Sequence, residues 1–467
     1  MPGSYTTGSR DLDELLGGLP PNTLILVAGH PGSGKTTFAS HVCYSNTLDG
    51  GKCLYITFYE DKEKLFRNMS KLGIDLFEAE EKGLVKFIKL PVTTMEEALN
   101  AISGLLAKET YDVVVVDSIN PILEVAQPRE LHRAILLNFF YQLTNMIKGV
   151  FVVVAEVPLD KETPDYRALE FTADIVIYLK HRIEHGLLSR IMEIRKVRGA
   201  QLIMNEVPFM MIEGEGIRVF IPPKPARLLT GKVKTLNTSI SVITKMIGTI
   251  KMGDIIHISY PPHGRSPLVL VPLIDLAVTN NSKTLFISFT YSPDELRDLI
   301  TGMLKNYFEI DPELSNKIIN KYFYLVSYNP AAYSITYLNG LLIELIEDID
   351  PDIVAIHGTE VFSAISRDVK EFWVLYRNLL IWLKNNGKLV ILYSARVDPY
   401  WTRLHESQSD AVARIYMRHV KEGLKYVFYA WMRGSDPKTL VLTERDLVKY
   451  SPEARILADL VKRKVDQ

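Results

Sequence analysis

The sequence lacks the features that mark several large protein classes. Cysteine is nearly absent: Cys43 and Cys53 are the only two in 467 residues, too few for a metal site built on cysteine. Ten residues apart, they read as two buried, reduced thiols rather than a bridge. No stretch approaches the roughly 18–20 consecutive apolar residues of a membrane helix, and Met1-Pro2-Gly3-Ser4-Tyr5 has no apolar targeting core. The expected location is therefore cytoplasmic, with no membrane partner. An excess of either charge is also missing, since 54 Lys+Arg face 55 Asp+Glu. That balance excludes a protein that grips nucleic acid or anionic lipid through sheer basicity. Glutamine is scarce at five residues, which fits a thermophilic source.

What is present is an ordinary globular composition, 47% apolar and 23% charged. At roughly 100–200 residues per domain the length allows about two to four domains. Charge is unevenly shared between the halves. Before residue 231 there are 25 basic and 29 acidic residues, and after it 29 and 26, so the halves carry −4 and +3.

Short Val- and Ile-rich runs alternate with longer helical patterns, the signature of βαβ units around a mostly parallel sheet. In the first half the runs Leu24–Ala28, Cys53–Thr57, Val113–Val116, Val150–Ala155 and Ile175–Leu179 read as buried strands. Segments 36–48, 62–72, 95–108 and 128–147 read as helices. A stretch with three prolines and several basic residues, 221–237, reads as a linker. The second half then repeats the first. Leu54–Phe58 corresponds to Leu285–Phe289, Asp112–Val116 to Asp352–Ile356, Val150–Ala155 to Leu389–Ser394, and Arg198-Gly199 to Arg433-Gly434. Four matches in order, offset by about 230–240 residues, indicate a tandem duplication of one α/β domain. The expected boundaries are 1–225 for the first domain, 226–237 for the linker and 238–467 for the second.

Gly29-His30-Pro31-Gly32-Ser33-Gly34-Lys35-Thr36 satisfies G-x-x-x-x-G-K-[ST], follows an apolar strand and opens a helix, with Thr37 as the next residue. Glycines there let backbone N–H groups converge on the phosphates of ATP, and the helix N-terminus adds positive potential. Lys35 would bridge the β- and γ-phosphates, and the Thr36 hydroxyl would ligate Mg²⁺. Asp117, closing the apolar strand Val113–Val116, is the expected second magnesium group. Hydrolysis also needs a group that activates water. Ser118 follows Asp117, so the candidate base is Glu60, at the end of the strand after the phosphate-loop helix.

These features resemble the KaiC family within the RecA-like ATPases, over essentially the whole chain. The opening Thr7-Gly8-Ser-Arg-Asp-Leu-Asp13-Glu-Leu-Leu16-Gly17-Gly18-Leu19-Pro20 is similar to the family's T-G-x-x-x-x-D-x-L-L-G-G-G-L-P, and Arg67-Asn68 and Lys196-Val-Arg198-Gly199 continue the likeness. The resemblance implies two tandem RecA-like domains, each a mostly parallel twisted sheet flanked by helices. It also implies that Lys196 and Arg198 reach the nucleotide site of a neighbouring subunit in a six-membered ring. Cations two positions apart on a strand share a side, as such a contact requires. Family members carry two adjacent Glu at the catalytic strand end. Here the first is Tyr59, which implies slow turnover.

Aligned on the repeat, Ser259–Ser266 takes the place of the phosphate loop, with Ser259 for the first glycine, Pro262 for Gly32 and Arg265 for Lys35. Pro262 removes a backbone donor, and arginine replaces a lysine that must bend over phosphates. His357 replaces Asp117, Tyr291 replaces Glu60 and Trp431 replaces Lys196. The second half therefore reads as a pseudo-ATPase, with His357 as a packed histidine.

The loop 156–174 of the first half carries six acids against two bases, which repels nucleic acid. The matching segment of the second half interleaves Arg396, Tyr400, Trp401 and Arg403, a composition suited to bases and phosphates but also to a subunit or protein contact. The leading expectation is a slow Mg-dependent ATPase with a non-catalytic interaction platform. A non-hydrolysing ATP-sensing scaffold and a nucleic-acid-dependent ATPase are the alternatives.

Overall fold

The structure, a computed structural model, describes residues 5–91, 94–124, 139–140, 142–143, 147, 149–157, 167–184, 187–200, 202, 204–221, 234–262, 269–364, 369–421, 423–443 and 459. Most of the expected linker 226–237, most of the expected helix 128–147, and Arg265 with its neighbours lie outside the described residues. The chain divides into two compact units, Met1–Ile221 and Pro222–Gln467.

Among the described residues of the first unit nine strands form one sheet: β1 (Thr23–Gly29), β2 (Cys53–Thr57), β3 (Val85–Lys89), β4 (Val113–Asp117), β5 (Val150–Glu156), β6 (Ile175–Glu184), β7 (Leu187–Val197), β8 (Glu206–Ile212) and β9 (Gly216–Val219). Their spatial order is β3-β2-β4-β5-β1-β6-β7-β8-β9. The pairings from β3 through β6 are parallel and the rest antiparallel. Every residue of β1, β2 and β4 is buried, which is why these strands are nearly continuous apolar runs. Alternate residues feed two cores. Ile25, Val27, Cys53 and Tyr55 belong to one, and Leu24, Leu26, Leu54 and Ile56 to the other.

Helix α1 (Arg10–Leu16) buries Leu12 and Leu16, and α2 (Lys35–Thr47) follows the phosphate loop. Helix α3 (Lys62–Ser70) starts at Asp61, whose carboxylate caps the Lys64 N–H at 3.1 Å. Because α2 packs on β2, Cys43 faces Cys53 with a Cα–Cα distance of 5.7 Å, and the two form a disulfide. The expected pair of reduced thiols is thus corrected: packing of helix on strand, which ten residues of spacing does not reveal, brings the sulfurs together.

The second unit repeats this plan with β10 (Ile255–Tyr260), β11 (Thr284–Ser288), β12 (Phe323–Ser327), β13 (Ile353–His357), β14 (Leu389–Ala395), β15 (Ala411–Val420), β16 (Gly423–Met432) and β17 (Lys438–Thr443). Their order, β12-β11-β13-β14-β10-β15-β16-β17, reproduces the first eight positions of the other sheet. The braces between strands recur as well. Asp174 accepts from the Leu24 N–H and Asp410 from the Ile255 N–H, both at 3.0 Å. Asp112 and Asp352 do the same for the N–H groups of Lys52 and Lys283. The α/β class with two tandem, mostly parallel sheets flanked by helices is borne out.

Candidate functional site

The carboxyl ends of β1, β2 and β4 meet at one edge of the first sheet. Beyond β1 the chain turns through Gly29–Gly34 into α2. Glycine is required at both ends of this loop. A Cβ on Gly29 would lie 2.3 Å from the Leu179 carbonyl oxygen of β6, and Gly34 has φ +103° with Met211 against it. Ser33 is fully buried, and its hydroxyl has no partner among the described residues. Lys35 is 5% exposed and its Nζ donates to the His30 carbonyl at 3.0 Å. Burial lowers its pKa, while the charges of Glu156 and Asp117 act in the opposite direction. Thr37 is buried behind the loop, and the His30 ring nitrogen Nδ1 lies 3.2 Å from the Val157 carbonyl. Pro31 is exposed at the tip.

Asp117, the last residue of β4, is almost fully buried. Burial raises its pKa. Hydrogen bonds from the hydroxyls of Tyr55 and Thr36 and the charge of Lys35 oppose that, and the charge of Glu60 adds to it. The structure therefore gathers Lys35, Thr36, Asp117 and Glu60 within electrostatic reach of one another. Glu60 is half-buried, its N–H donating to Thr57 Oγ1 at 3.2 Å. Tyr59, at the position of the resemblance's first Glu, is 59% exposed and turned to solvent.

Lys196 and Arg198 are not gathered into this cluster. Lys196 Nζ donates to the Glu170 and Phe171 carbonyls at 3.0 and 2.8 Å, and burial lowers its pKa. Arg198, 61% exposed, pairs with Asp174 at 2.9 Å. Two residues at the site escape sequence reasoning. Tyr55 hides inside an apolar strand, and Glu156 reads as the start of a loop although its charge reaches Lys35.

At the same edge of the second unit the strand registers correct the alignment. Ile255 takes the place of Leu24, so Tyr260, not Ser259, stands where Gly29 does. Register cannot be fixed by similarity of short apolar runs alone. His357 ends β13 as Asp117 ends β4. Its Nε2 lies 2.9 Å from the Tyr260 hydroxyl and its Nδ1 3.0 Å from Thr290 Oγ1. The Tyr260 and Tyr291 rings lie nearly parallel to this imidazole, at 6.3 and 5.0 Å between centroids. Trp431 replaces Lys196 and lies under the Arg414 guanidinium, which Glu406 holds by two hydrogen bonds.

The basic and aromatic segment is not the loop its composition suggests. Residues Pro399–Gln408 form a helix capped by Asp398. Arg396 donates to the Ser259 and Ile415 carbonyls and covers the Tyr416 ring. Trp401 packs against Phe372, leaving Tyr400 and Arg403 exposed.

The family described as the KaiC ATPase matches residues 5–224. The first unit is thus similar to the KaiC ATPase family over nearly its whole length. The chain is 25% identical over 382 residues to the circadian clock protein KaiC3 of Synechocystis, covering 78% of this chain and 74% of that relative. Over 298 residues it is 24% identical to the circadian clock oscillator protein KaiC of Synechococcus elongatus, covering 60% and 56%. A UPF0273 protein of Pyrococcus horikoshii is 28% identical over 251 residues, which are 49% of this chain and 98% of that protein. This likeness supports ATP binding and, in general terms, ATP hydrolysis.

The KaiC-like opening motif is explained by packing. Asp13 accepts hydrogen bonds from the Thr6 hydroxyl and the Thr7 N–H, and a side chain on Gly8 would collide with His41 and Ser45. In the second unit the same service to Thr238 and Ser239 comes from Asp275, on the helix Val271–Thr279. The magnesium that such ATPases use fits the residues present: a hydroxyl, Thr36, and a buried carboxylate, Asp117, face each other beside Lys35. No helix among the described residues is long and apolar enough to cross a membrane.

Proposed function

We propose that the first unit binds Mg-ATP and hydrolyses it slowly, while the second is a non-catalytic interaction or regulatory platform. On this reading residues 1–225 are the ATPase domain, 226–237 a linker and 238–467 a degenerate RecA-like domain. The observation that carries it is the contrast at the two sheet edges. One gathers Lys35, Thr36, Asp117 and Glu60 around a glycine cradle. The other fills the equivalent positions with Tyr260, His357 and Tyr291.

The backbone of Gly29–Lys35 and Thr37 would hold the phosphates, with His30, Pro31 and Ser33 shaping the loop. Bound Mg²⁺ would neutralise charge on the β- and γ-phosphates. Thr36 and Asp117 would hold it, Lys35 would leave the His30 carbonyl for the phosphates, and Glu60 would take the proton of the attacking water. Lys196 and Arg198 would act on the site of a neighbouring copy in a ring, expected to be hexameric. In that ring Lys196 exchanges two carbonyls for a phosphate. Tyr59 in place of a second carboxylate supports slow turnover and keeps a non-hydrolysing ATP sensor as the alternative. The nucleic-acid-dependent reading loses support, because Arg396 and Trp401 are committed to the fold.

Phosphate release from wild type, Glu60→Gln and Lys196→Ala, against a Lys35→Ala blank, tests the enzyme reading. Release above the blank that falls in both variants is expected. Release equal to the blank with nucleotide still bound would leave the sensor.

A further inference from the structure

Tyr55 sits in the middle of β2, fully buried, with its ring stacked on Phe87 at 5.6 Å. Its register partner on β4 is Val115, and that of Thr57 is Asp117. Tyr55 and Asp117 are therefore diagonal neighbours on one face of the sheet, the distance that a long side chain spans. The Tyr55 hydroxyl closes the gap, donating to Asp117 Oδ2 at 2.8 Å.

Packing alone does not call for a hydroxyl here, because phenylalanine would fill the same volume without a polar atom to bury. The second unit makes the comparison internally. Phe286 occupies the position of Tyr55, and its ring meets His357 edge-on at 6.2 Å. The hydroxyl is present where the carboxylate is present, and absent where histidine replaces it. Apolar packing persists in both.

We propose that Tyr55 is a positioning residue for the magnesium carboxylate. By occupying Oδ2 it fixes the plane of the Asp117 carboxylate and reserves Oδ1 for the metal and its water. Groups that orient a metal ligand in this way typically account for roughly 10–100-fold in metal affinity. The proposal rests on the reading of the first unit as a Mg-ATP site.

The test is Tyr55→Phe in the full chain, with a fluorescent ATP analogue titrated without metal and then with increasing Mg²⁺. The expected result is unchanged metal-free affinity and thermal midpoint, with the half-saturating Mg²⁺ concentration raised roughly tenfold. Counting bound Mn²⁺ by electron paramagnetic resonance should show the same shift. An unchanged Mg²⁺ midpoint overturns the proposal. So does a parallel loss of metal-free affinity and thermal stability, which would mark a purely structural role. If wild type itself shows no response to Mg²⁺, the reading of the site fails and the proposal with it.

Discussion

Two sheet edges built on one strand order carry opposite chemistry. At the first, β1 ends in a glycine and β4 in a buried aspartate; at the second, β10 ends in Tyr260 and β13 in His357. The apolar strands survive in both, and so do the aspartates that tie neighbouring strands together, Asp112 and Asp174 against Asp352 and Asp410. Residues that hold the fold and residues that hold phosphate are thus separable in this molecule. Loss of the second set has left a closed network of aromatic rings and hydroxyls around one imidazole.

The largest effect that bears on this contrast is removal of the ammonium group. Lys35→Ala should weaken nucleotide binding by at least about 100-fold, measured with a fluorescent ATP analogue. His357→Ala should leave that binding unchanged. Next, Glu60→Gln should reduce phosphate release roughly 100-fold with little change in nucleotide affinity, a split that a merely structural glutamate would not produce.

Acid should also distinguish the units. His257 and His405 are fully buried in the second, and burial is the main cause that depresses their pKa values, that of His405 to about 4 from 6.5. Folded histidine stays neutral while the unfolded chain takes up the proton, so this stability is complete above pH 6.5 and is lost as pH falls toward about 4. For His405 alone the loss is on the order of 3 kcal/mol. The first unit has His41, likewise depressed to about 4 by burial. Denaturation monitored between pH 7 and 4 should therefore show a steeper pH slope for the second unit than for the first. The smallest effect expected is from His357→Ala, about 1–3 kcal/mol of stability through the lost packing of the buried imidazole against Tyr260, Tyr291 and Phe286, read in chemical denaturation with phosphate release unchanged.

Much of this was legible in residue order. The buried parallel strands appear as apolar runs because both their faces are covered, and the phosphate loop announces itself through glycine spacing. The antiparallel strands β7 to β9 were harder: Leu187–Val197 mixes Arg, Lys and Glu into its pattern because one face is laced with ion pairs such as Lys180–Glu193. Arg396 misleads for a related reason. Its charge suggests solvent or a ligand, yet backbone carbonyls and an aromatic ring absorb it. The position of Tyr260 depends on strand register, and the Cys43–Cys53 bridge depends on how a helix lies on a strand. Neither leaves a local mark in the sequence. Tyr55 was invisible because a tyrosine within an apolar run looks like core, and only its hydroxyl's partner gives it meaning.

The central claim is that one unit is a working nucleotide site and the other is closed. Counting ATP bound per chain in the presence of Mg²⁺, in wild type and Lys35→Ala, tests it most directly. The account predicts one nucleotide per wild-type chain and none in the variant. Two per wild-type chain, or one remaining after Lys35→Ala, would contradict it.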